Sequence, residues 1–278
     1  MSFVDLLLNL AGVLLWLSWR AIGLVKPAPA ATISSVLKQA KSGRPRRFWY
    51  LVGLVTLLAL RAVLYWRVGS SVNWIPVLDL GIVSLPFKSI SPERMVVFSF
   101  ASFGLTIGVF YMWLLLISVV NRSVPDTDVW QKLVRLHLGW LQRLPSVFKL
   151  GGPPVVTMAV WVLLDPVLVT SSMAARPVSL AHLWQEAALV GLGTLLAWKY
   201  LVVLVLFFGV LNMYLYLGNF SFWTFVGATS RNLLKPLQRL PLQVGRIDCS
   251  PVLGLALAWL AFTASEWLLN LLFAPRPL

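Results

Sequence analysis

Six long apolar runs constrain this chain more than any other feature of its sequence. Each holds about 20 mainly apolar residues, the length of α-helix needed to cross a hydrocarbon core of roughly 30 Å. The runs lie near residues 3–19, 48–66, 95–120, 153–173, 187–217 and 251–273. Only 12% of the 278 residues are charged, whereas about one-quarter are charged in soluble domains. We therefore predict an all-α membrane protein with six transmembrane helices.

The first and fifth runs need separate interpretation. The first carries Asp5 and has neither a basic n-region nor a clear cleavage site, so we expect a retained helix rather than a signal peptide. The fifth run, 187–217, is too long for a simple crossing. Either this helix tilts, or the residues before Lys199 lie along the membrane interface while Tyr200 to Leu217 span it.

The basic residues predict which way the helices face. Sixteen of the 23 Lys and Arg residues lie in three short connectors, which follow the first, third and fifth runs. Five lie on the opposite side, and Arg61 and Lys199 lie within runs. Because short cytoplasmic loops carry an excess of Lys and Arg, we place these connectors in the cytoplasm. Both termini are then on the outer, periplasmic side of the cytoplasmic (inner) membrane.

The connectors also indicate a repeated organisation. The pentapeptide LQRLP occurs at 141–145 and again at 237–241, and a proline opens the next apolar run in both copies. We interpret this as a duplication and predict three helical hairpins in a bundle. The corresponding segments are 1–94, a hairpin plus an outer loop; 95–186, a degenerate copy; and 187–278, the last hairpin. The first hairpin is a repeat by topology only.

An amphipathic segment precedes each of the two prolines that open an apolar run, Pro154 and Pro251. From Val129 onward, apolar residues that include Trp130, Leu133 and Leu138 fall on one helical face, and Lys132 lies off it. This pattern is typical of a helix lying in the headgroup plane on the cytoplasmic side. A cytoplasmic helix packed on the protein itself is the alternative. The second copy, around Phe225 to Leu240, is weaker because Pro236 interrupts it.

The stretch LLKPLQRLPLQVGRIDCSP, residues 233–251, concentrates polar groups at the start of the last run. Ser250 is a suitable N-cap residue, and Pro251 suits the first helical turn. Asp248 lies just outside a helix N-terminus, where the helix dipole favours negative charge, and Arg239 and Arg246 are near enough in sequence to pair with it. A structural role is therefore sufficient: the stretch orders a loop and starts a helix.

The same stretch resembles the signature of the YggT (YlmG) family of small membrane proteins, over about residues 187–273. The residues that carry the resemblance include Lys235, Pro236, Arg239, Gly245, Asp248, Ser250 and Pro251. Gln238 stands where a second arginine is usual, and Pro241 comes one place early. The resemblance implies an integral membrane protein with no established enzymatic activity. Members of that family are linked with osmotic tolerance and envelope organisation in bacteria, and with cofactor attachment to a cytochrome complex in photosynthetic lineages.

Besides Asp5 and Glu266, three charged residues fall inside the apolar runs: Asp165, Lys199 and Arg61. We place Asp165 near the membrane midplane, where a carboxylate is costly and functional by default. Lys199 and Arg61 are its available cationic partners, although we expect Arg61 to extend outward to the interface. A buried structural pair and a transport or proton role both remain open for Asp165. Asp5 is expected at the outer interface.

Two features bear on partners. The sixth run carries a stripe of small residues suited to close helix contact, and we predict it as a helix-packing face: Gly254, Ala258, Ala261 and Ser265. The outer loop 68–94 is apolar for a loop, which favours contact with the membrane or with another subunit. We expect anionic headgroups at the cytoplasmic connectors, and other membrane subunits or a second copy of the chain as protein partners.

Catalytic chemistry finds no support in the residue pattern. His137 and His182 are far apart, and the one cysteine, Cys249, permits no internal disulfide or cysteine cage. We predict no catalytic, cofactor-binding or metal residues and no nucleic-acid partner, since the basic connectors lack a recognisable reading module. The leading hypothesis is a non-catalytic scaffold or assembly subunit of a membrane complex. The alternative is a small ion or osmolyte channel or transporter that uses Asp165.

Overall fold

A computed structural model describes residues 3–24, 33–72, 74–125, 128–170, 177, 179–215, 220–237, 243–244, 247–248 and 250–273. At residues 23–24, 33–46, 243–244, 247–248 and 273 it describes the backbone alone. The helices are α1 (Phe3–Leu24), α2 (Ile33–Val72), α3 (Pro92–Val120), α4 (Val129–Leu138), α5 (Ser146–Thr170), α6 (Leu180–Gly193), α7 (Ala197–Tyr214), α8 (Ser221–Leu234) and α9 (Ser250–Phe273). The strands are β1 (Val77–Asp79), β2 (Ser84–Pro86), β3 (Gln243–Val244) and β4 (Ile247–Asp248).

The prediction of six membrane-spanning segments is confirmed in its main feature. Six helical segments are long and apolar enough to cross a membrane. They are Phe3–Ile22, Arg47–Val72, Pro92–Val120, Ser146–Thr170, Leu180–Tyr214 and Ser250–Leu272. The predominantly helical fold also contains two short hairpins, β1–β2 and β3–β4, which the all-α prediction missed.

The fifth candidate span is not one continuous α-helix. A 3₁₀ stretch, Thr194–Leu196, separates α6 from α7, and Lys199 lies just after this interruption. A segment of 35 residues would be about 52 Å long as a straight helix at 1.5 Å per residue, far more than a hydrocarbon core requires. The break in the α-helix therefore lies close to Lys199, where one of the two alternatives divided this run.

The fourth span begins earlier than predicted. Pro154 was expected to open the fourth apolar run. The helix α5 instead starts at Ser146 and contains Pro153, Pro154 and Pro166. Prolines inside a helix remove backbone donors and leave carbonyls without partners. The hydroxyl of Thr157 also donates to the carbonyl of Pro153 at 3.0 Å. The apolar run therefore predicted that a candidate span lies here, whereas the helix begins several residues before that run.

The chain divides into two compact units, and the boundary falls inside α3. Unit 1 comprises residues 1–78 and 84–108, and unit 2 comprises 79–83 and 109–278. In unit 1, α1 packs along α2, and Val13, Leu54, Leu58 and Phe103 form an apolar cluster. The division into three hairpins at 1–94, 95–186 and 187–278 differs from these two units and stays a prediction.

In unit 2 the most extensive helix contacts are between α5 and α6, and between α7 and both α8 and α9. The third span joins this unit through reciprocal bonds to α7. The indole N–H of Trp113 donates to the carbonyl of Ala197 at 2.8 Å, and that of Trp198 donates to the carbonyl of Met112 at 3.1 Å. Each bond fixes one indole against the backbone of the opposite helix.

The first segment predicted as amphipathic is helical, as α4, and part of its apolar face meets the protein. Val134 and Leu138 are buried in a cluster with Leu114, Leu115 and Phe225. Trp130 and Leu133, predicted on the same apolar face, are exposed instead. The carboxylate of Asp128 caps the helix start, and Gly139, with a φ of 56°, ends it. Packing on the protein thus accounts for part of the apolar face, and a position in the headgroup plane stays a prediction.

Candidate functional site

A buried polar network in unit 1 joins three membrane-spanning helices. Asp5 and Asn9 lie one turn apart on α1, Arg61 and Tyr65 lie one turn apart on α2, and Ser102 lies on α3. Arg61 is 1% exposed, and Asp5, Asn9 and Ser102 are exposed by 4% or less. Helical spacing of i and i+4 puts both members of a pair on the same face, so each helix presents its polar groups to the other two.

The Arg61 guanidinium is the centre of this network. It forms an ion pair with Asp5, Nη2 to Oδ1, at 2.9 Å. It also donates to Asn9 Oδ1 at 2.7 Å and to Ser102 Oγ at 3.0 Å. The amide of Asn9 donates to Ser102 Oγ at 3.2 Å, and the Tyr65 hydroxyl donates to Asp5. A carboxylate and a guanidinium that would be very costly alone in hydrocarbon therefore neutralise each other.

Aromatic rings enclose the guanidinium. Its Cζ lies 5.3 Å from the ring centroid of Tyr65 and 5.6 Å from that of Phe98, both within cation–π range. Trp74 packs edge-on against Tyr65 at 5.1 Å, and Phe87 packs against Phe98 at 5.4 Å. Residues of the outer loop therefore form a second layer around the network. The loop was expected to contact the membrane or another subunit, and in unit 1 these two side chains contact the chain itself.

One expectation about this site was wrong. Arg61 was expected to extend outward, but it is the fifteenth residue of the 26-residue candidate span and is buried. The position of Asp5 at the outer interface stays a prediction, and its carboxylate is buried against Arg61. Single-sequence reasoning considered each ionisable residue on its own helix. A usable signal was present: Asp5 with Asn9, Arg61 with Tyr65, and Ser99 with Ser102 put polar residues at helical spacing in three apolar runs.

The structure does not join Asp165 to its expected partners. Arg61 is already paired in unit 1, and Lys199 binds Glu266 of α9, Nζ to Oε2, at 2.6 Å. Asp165 is the twentieth of the 25 residues of α5, and its depth near the membrane midplane stays a prediction. The carboxylate of Asp165 acts electrostatically on Glu186 of α6.

A second buried polar network lies in unit 2. The side-chain amide of Asn121, which is fully buried just after α3, donates to the hydroxyl of Thr229 at 2.7 Å. Asn232 donates to Asn121 Oδ1 at 3.0 Å, and Gln131 donates to the Asn121 carbonyl at 3.3 Å. The network holds the end of α3 against α4 and α8. None of these residues was predicted as a site from the sequence.

The family-like stretch is only partly described. Lys235 caps the end of α8 and Pro236 follows it, so the helix stops where a proline would interrupt it. Arg239, Gly245, Arg246 and Cys249 lie outside the described residues. Gln243 pairs with Asp248 and Val244 with Ile247 in an antiparallel hairpin just before α9. Ser250 and Pro251 are the first two residues of α9, so the prediction that a helix starts here is confirmed. Ser250, predicted as the N-cap residue, is itself the first residue of the helix.

The predicted helix-packing face of α9 divides into two parts. Gly254 is buried and Ala258 is partly buried, and both face the protein. A Cβ at Gly254 would overlap the side chain of Leu234 on α8, so glycine permits this close approach. Ala261 and Ser265 are exposed. Packing within the chain instead continues through Phe262 and Glu266.

The network around Arg61 holds three helices together through hydrogen bonds and an ion pair. Two cavities in the described part of unit 2 are lined by other residues. Among the described residues, no group of three or more His, Cys, Asp or Glu side chains could hold a metal ion. His137 is buried, with Nδ1 bonded at 2.9 Å to the carbonyl of Leu133. His182 is half-exposed, with Nδ1 at 3.2 Å from Glu186.

The fold and this network define the class: a multi-pass α-helical membrane protein with six candidate spans and a buried ion pair between helices. Comparison with protein-family models, curated proteins and solved structures finds no match. The resemblance to the YggT family therefore still depends on the sequence stretch at 233–251 alone.

Proposed function

We propose that this chain is a non-catalytic scaffold or assembly subunit of a complex in the cytoplasmic membrane, similar in role to the YggT family. The observation that carries the proposal is the low burial of the last span. Only 6% of its most apolar window is buried within the chain, against 28% for the second and third spans. Trp259, Leu260 and Trp267 are among the exposed side chains. In a bilayer, such a surface contacts lipid or another transmembrane helix.

Small residues on the exposed side of α9 favour a helix as partner. Ala261 and Ser265 lie on adjacent turns and are exposed, and the Ser265 hydroxyl donates to the carbonyl of Ala261 at 2.8 Å. The serine hydroxyl is therefore satisfied without a partner, and the small side chains let a neighbouring backbone approach closely. In unit 1 the network around Arg61 has the complementary role of holding α1 and α2 against the part of α3 that belongs to this unit.

The proposed topology has the three basic connectors in the cytoplasm and both termini on the periplasmic side. Three helical hairpins with N-out and C-out ends satisfy this arrangement. It is supported by the concentration of Lys and Arg in those connectors. The cytoplasmic ends then lie against the anionic leaflet, which suits a subunit that holds its position in the membrane electrostatically.

Co-purification in mild detergent tests the scaffold proposal. The double substitution Ala261→Leu with Ser265→Leu puts two bulky side chains on the exposed small face. The control Ala256→Leu with Thr263→Leu also adds two leucines, at exposed positions elsewhere on α9. We expect the double variant to lose a partner, or a second copy, that the native chain and the control retain. A monodisperse monomer with no partner for the native chain would contradict the proposal.

A small channel or transporter is the second candidate, favoured by one observation. Asp165 of α5 acts electrostatically on Glu186 of α6, and Glu186 lies 3.2 Å from His182 Nδ1 on the same helix. Flux into liposomes compares the native chain with Asp165→Asn. The scaffold proposal predicts background flux for both. Flux that is well above background and lost in Asp165→Asn would establish the transport role instead.

A further inference from the structure

A cleft of about 650 Å³ lies in unit 2, between the connector that follows α3 and the second half of α8. Ser123, Val124 and Pro125 form one wall. Arg231 and Lys235 lie on the other wall, one helical turn apart, so both can reach the same ligand. Sites of about 300–1,000 Å³ are typical of small-molecule pockets, and this cleft falls inside that range.

The walls of the cleft are held in place by bonds that do not involve the two cations. Arg135 of α4 donates to the carbonyl of Val124 at 3.0 Å. Asn232, which also lines the cleft, is bonded to the buried Asn121 at 3.0 Å. A preformed site of this kind requires little ordering when a ligand binds, and so favours affinity.

The charge of the cleft favours an anion. Arg231 and Lys235 are exposed, and the side chain of neither forms a hydrogen bond or a salt bridge with another described residue. The one carboxylate of the wall, Asp128, already accepts the backbone N–H groups of Trp130 at 2.8 Å and Gln131 at 3.1 Å. Two cations with unused donors therefore face one carboxylate that is engaged in capping a helix.

We propose that this cleft binds the phosphate of an anionic phospholipid headgroup. Ser123 is three residues beyond the end of the third span at Val120, so it lies within about 10 Å of that end. Exposed aromatic side chains lie at the start of α8, where Phe222 packs against Trp130 at 5.3 Å. Interfacial aromatic residues belong at the headgroup level, where a lipid phosphate is available.

This inference rests on the proposed function in one respect. It takes the basic connectors to face the leaflet rich in anionic lipid. A soluble phosphate compound has the same recognition chemistry as a headgroup, and the test separates these two sources. Apolar lining at Val124, Pro125 and Ala228 favours the lipid, because it can accommodate glycerol and the first acyl carbons.

Native mass spectrometry of the full chain in detergent, titrated with phosphatidylglycerol or phosphatidylcholine, measures the site directly. Arg231→Gln with Lys235→Gln should weaken phosphatidylglycerol binding by about tenfold or more, since two charge-assisted bonds are lost. The matched control, Lys132→Gln with Arg143→Gln, removes two exposed cations outside the cleft and should leave affinity unchanged. Phosphatidylcholine should bind equally weakly to all three proteins.

A second variant tests the cleft without removing any charge, so that loss of binding can be distinguished from an effect of the charge substitutions on folding. Ala228→Leu keeps every charge and fills the cleft, and it should also weaken phosphatidylglycerol binding. Equal loss in the control would overturn the proposal in favour of general attraction to basic surfaces. Competition by inorganic phosphate at the same concentration as the lipid would overturn the lipid as ligand. None of these readouts depends on which side of the membrane the connectors face, so they can fail independently of the proposed function.

Discussion

At the scale of single residues, Arg61 shows how a charge is accommodated inside an apolar bundle. Its guanidinium is bonded to Asp5, Asn9 and Ser102, while the N–H at Nε has no partner among the described residues. An ion pair buried in this way contributes little net stability compared with a well-packed apolar pair, but removing one member leaves an unpaired charge. The pair therefore determines which helices associate, more than how strongly they do so.

Replacing Arg61 alone should destabilise unit 1 strongly. Arg61→Met leaves the Asp5 carboxylate buried without its cation, and we expect a loss of about 3–5 kcal/mol in the free energy of unfolding. Denaturation in detergent micelles, followed by circular dichroism, measures it. Arg67→Met is the matched control, because Arg67 is exposed and contacts only the Trp66 ring among the described side chains.

A double substitution tests the same interpretation from the opposite direction. Asp5→Leu combined with Arg61→Met removes both charges, so it should recover most of the stability lost in Arg61→Met. If the double variant were as unstable as Arg61→Met, the polar network would have a role other than charge compensation.

The residues of this network could not be paired from one sequence. Asp5 and Arg61 are separated by 56 positions, and nothing in either run specifies the rotation of one helix against another. The prediction for Arg61 depended only on its distance from the end of its own span, and this distance favoured an outward orientation of its side chain. Tertiary packing changed that result because a partner on another helix removes the cost of staying buried.

At the scale of elements, α7 and α8 approach each other through a glycine. A Cβ at Gly209 of α7 would overlap Ser230 of α8, which is only 4% exposed and adjoins Thr229 of the buried polar network. Small residues at such a crossing allow two helix backbones to come together, as is usual for membrane helices.

Gly209→Ala should therefore separate α7 from α8. Forcing a methyl group into this contact is expected to cost about 1–3 kcal/mol in the free energy of unfolding. Gly104→Ala is the control, because a Cβ there has nothing within 4 Å, and its effect should stay within about 0.5 kcal/mol. Thermal unfolding of the two variants in the same detergent compares them. Equal melting temperatures would mean that Ser230 moves aside without cost.

The length of the apolar runs predicted the six candidate spans well. It did not predict the exact ends of the helices or the short hairpins. The six runs were identified because hydrocarbon thickness sets a minimum helix length that few soluble segments reach. Helix limits outside the bilayer were missed: α5 begins at Ser146 instead of near residue 153. The hairpin β3–β4 was missed because its strands are two residues long and leave too little periodicity to detect.

At the scale of the whole molecule, this is a membrane protein with two buried polar networks and a last span that is largely uncovered within the chain. Most polar groups of the two networks are bonded within the chain, while Arg61 Nε and Gln131 Oε1 have no partner among the described residues. We propose that the uncovered surface of α9 contacts a partner helix in the membrane and that the basic connectors contact anionic headgroups at its surface.

The central claim is that six spans place all three basic connectors on the cytoplasmic face, and accessibility of thiols to a membrane-impermeant maleimide tests it most directly. The native Cys249 reports on the third connector, and a Cys249→Ser background carries Ser35→Cys, Ser123→Cys or Ser84→Cys one at a time. We predict that Ser84→Cys is labelled in intact cells and that the other three sites are labelled only after permeabilisation. Labelling of any of those three connector sites in intact cells would contradict the account.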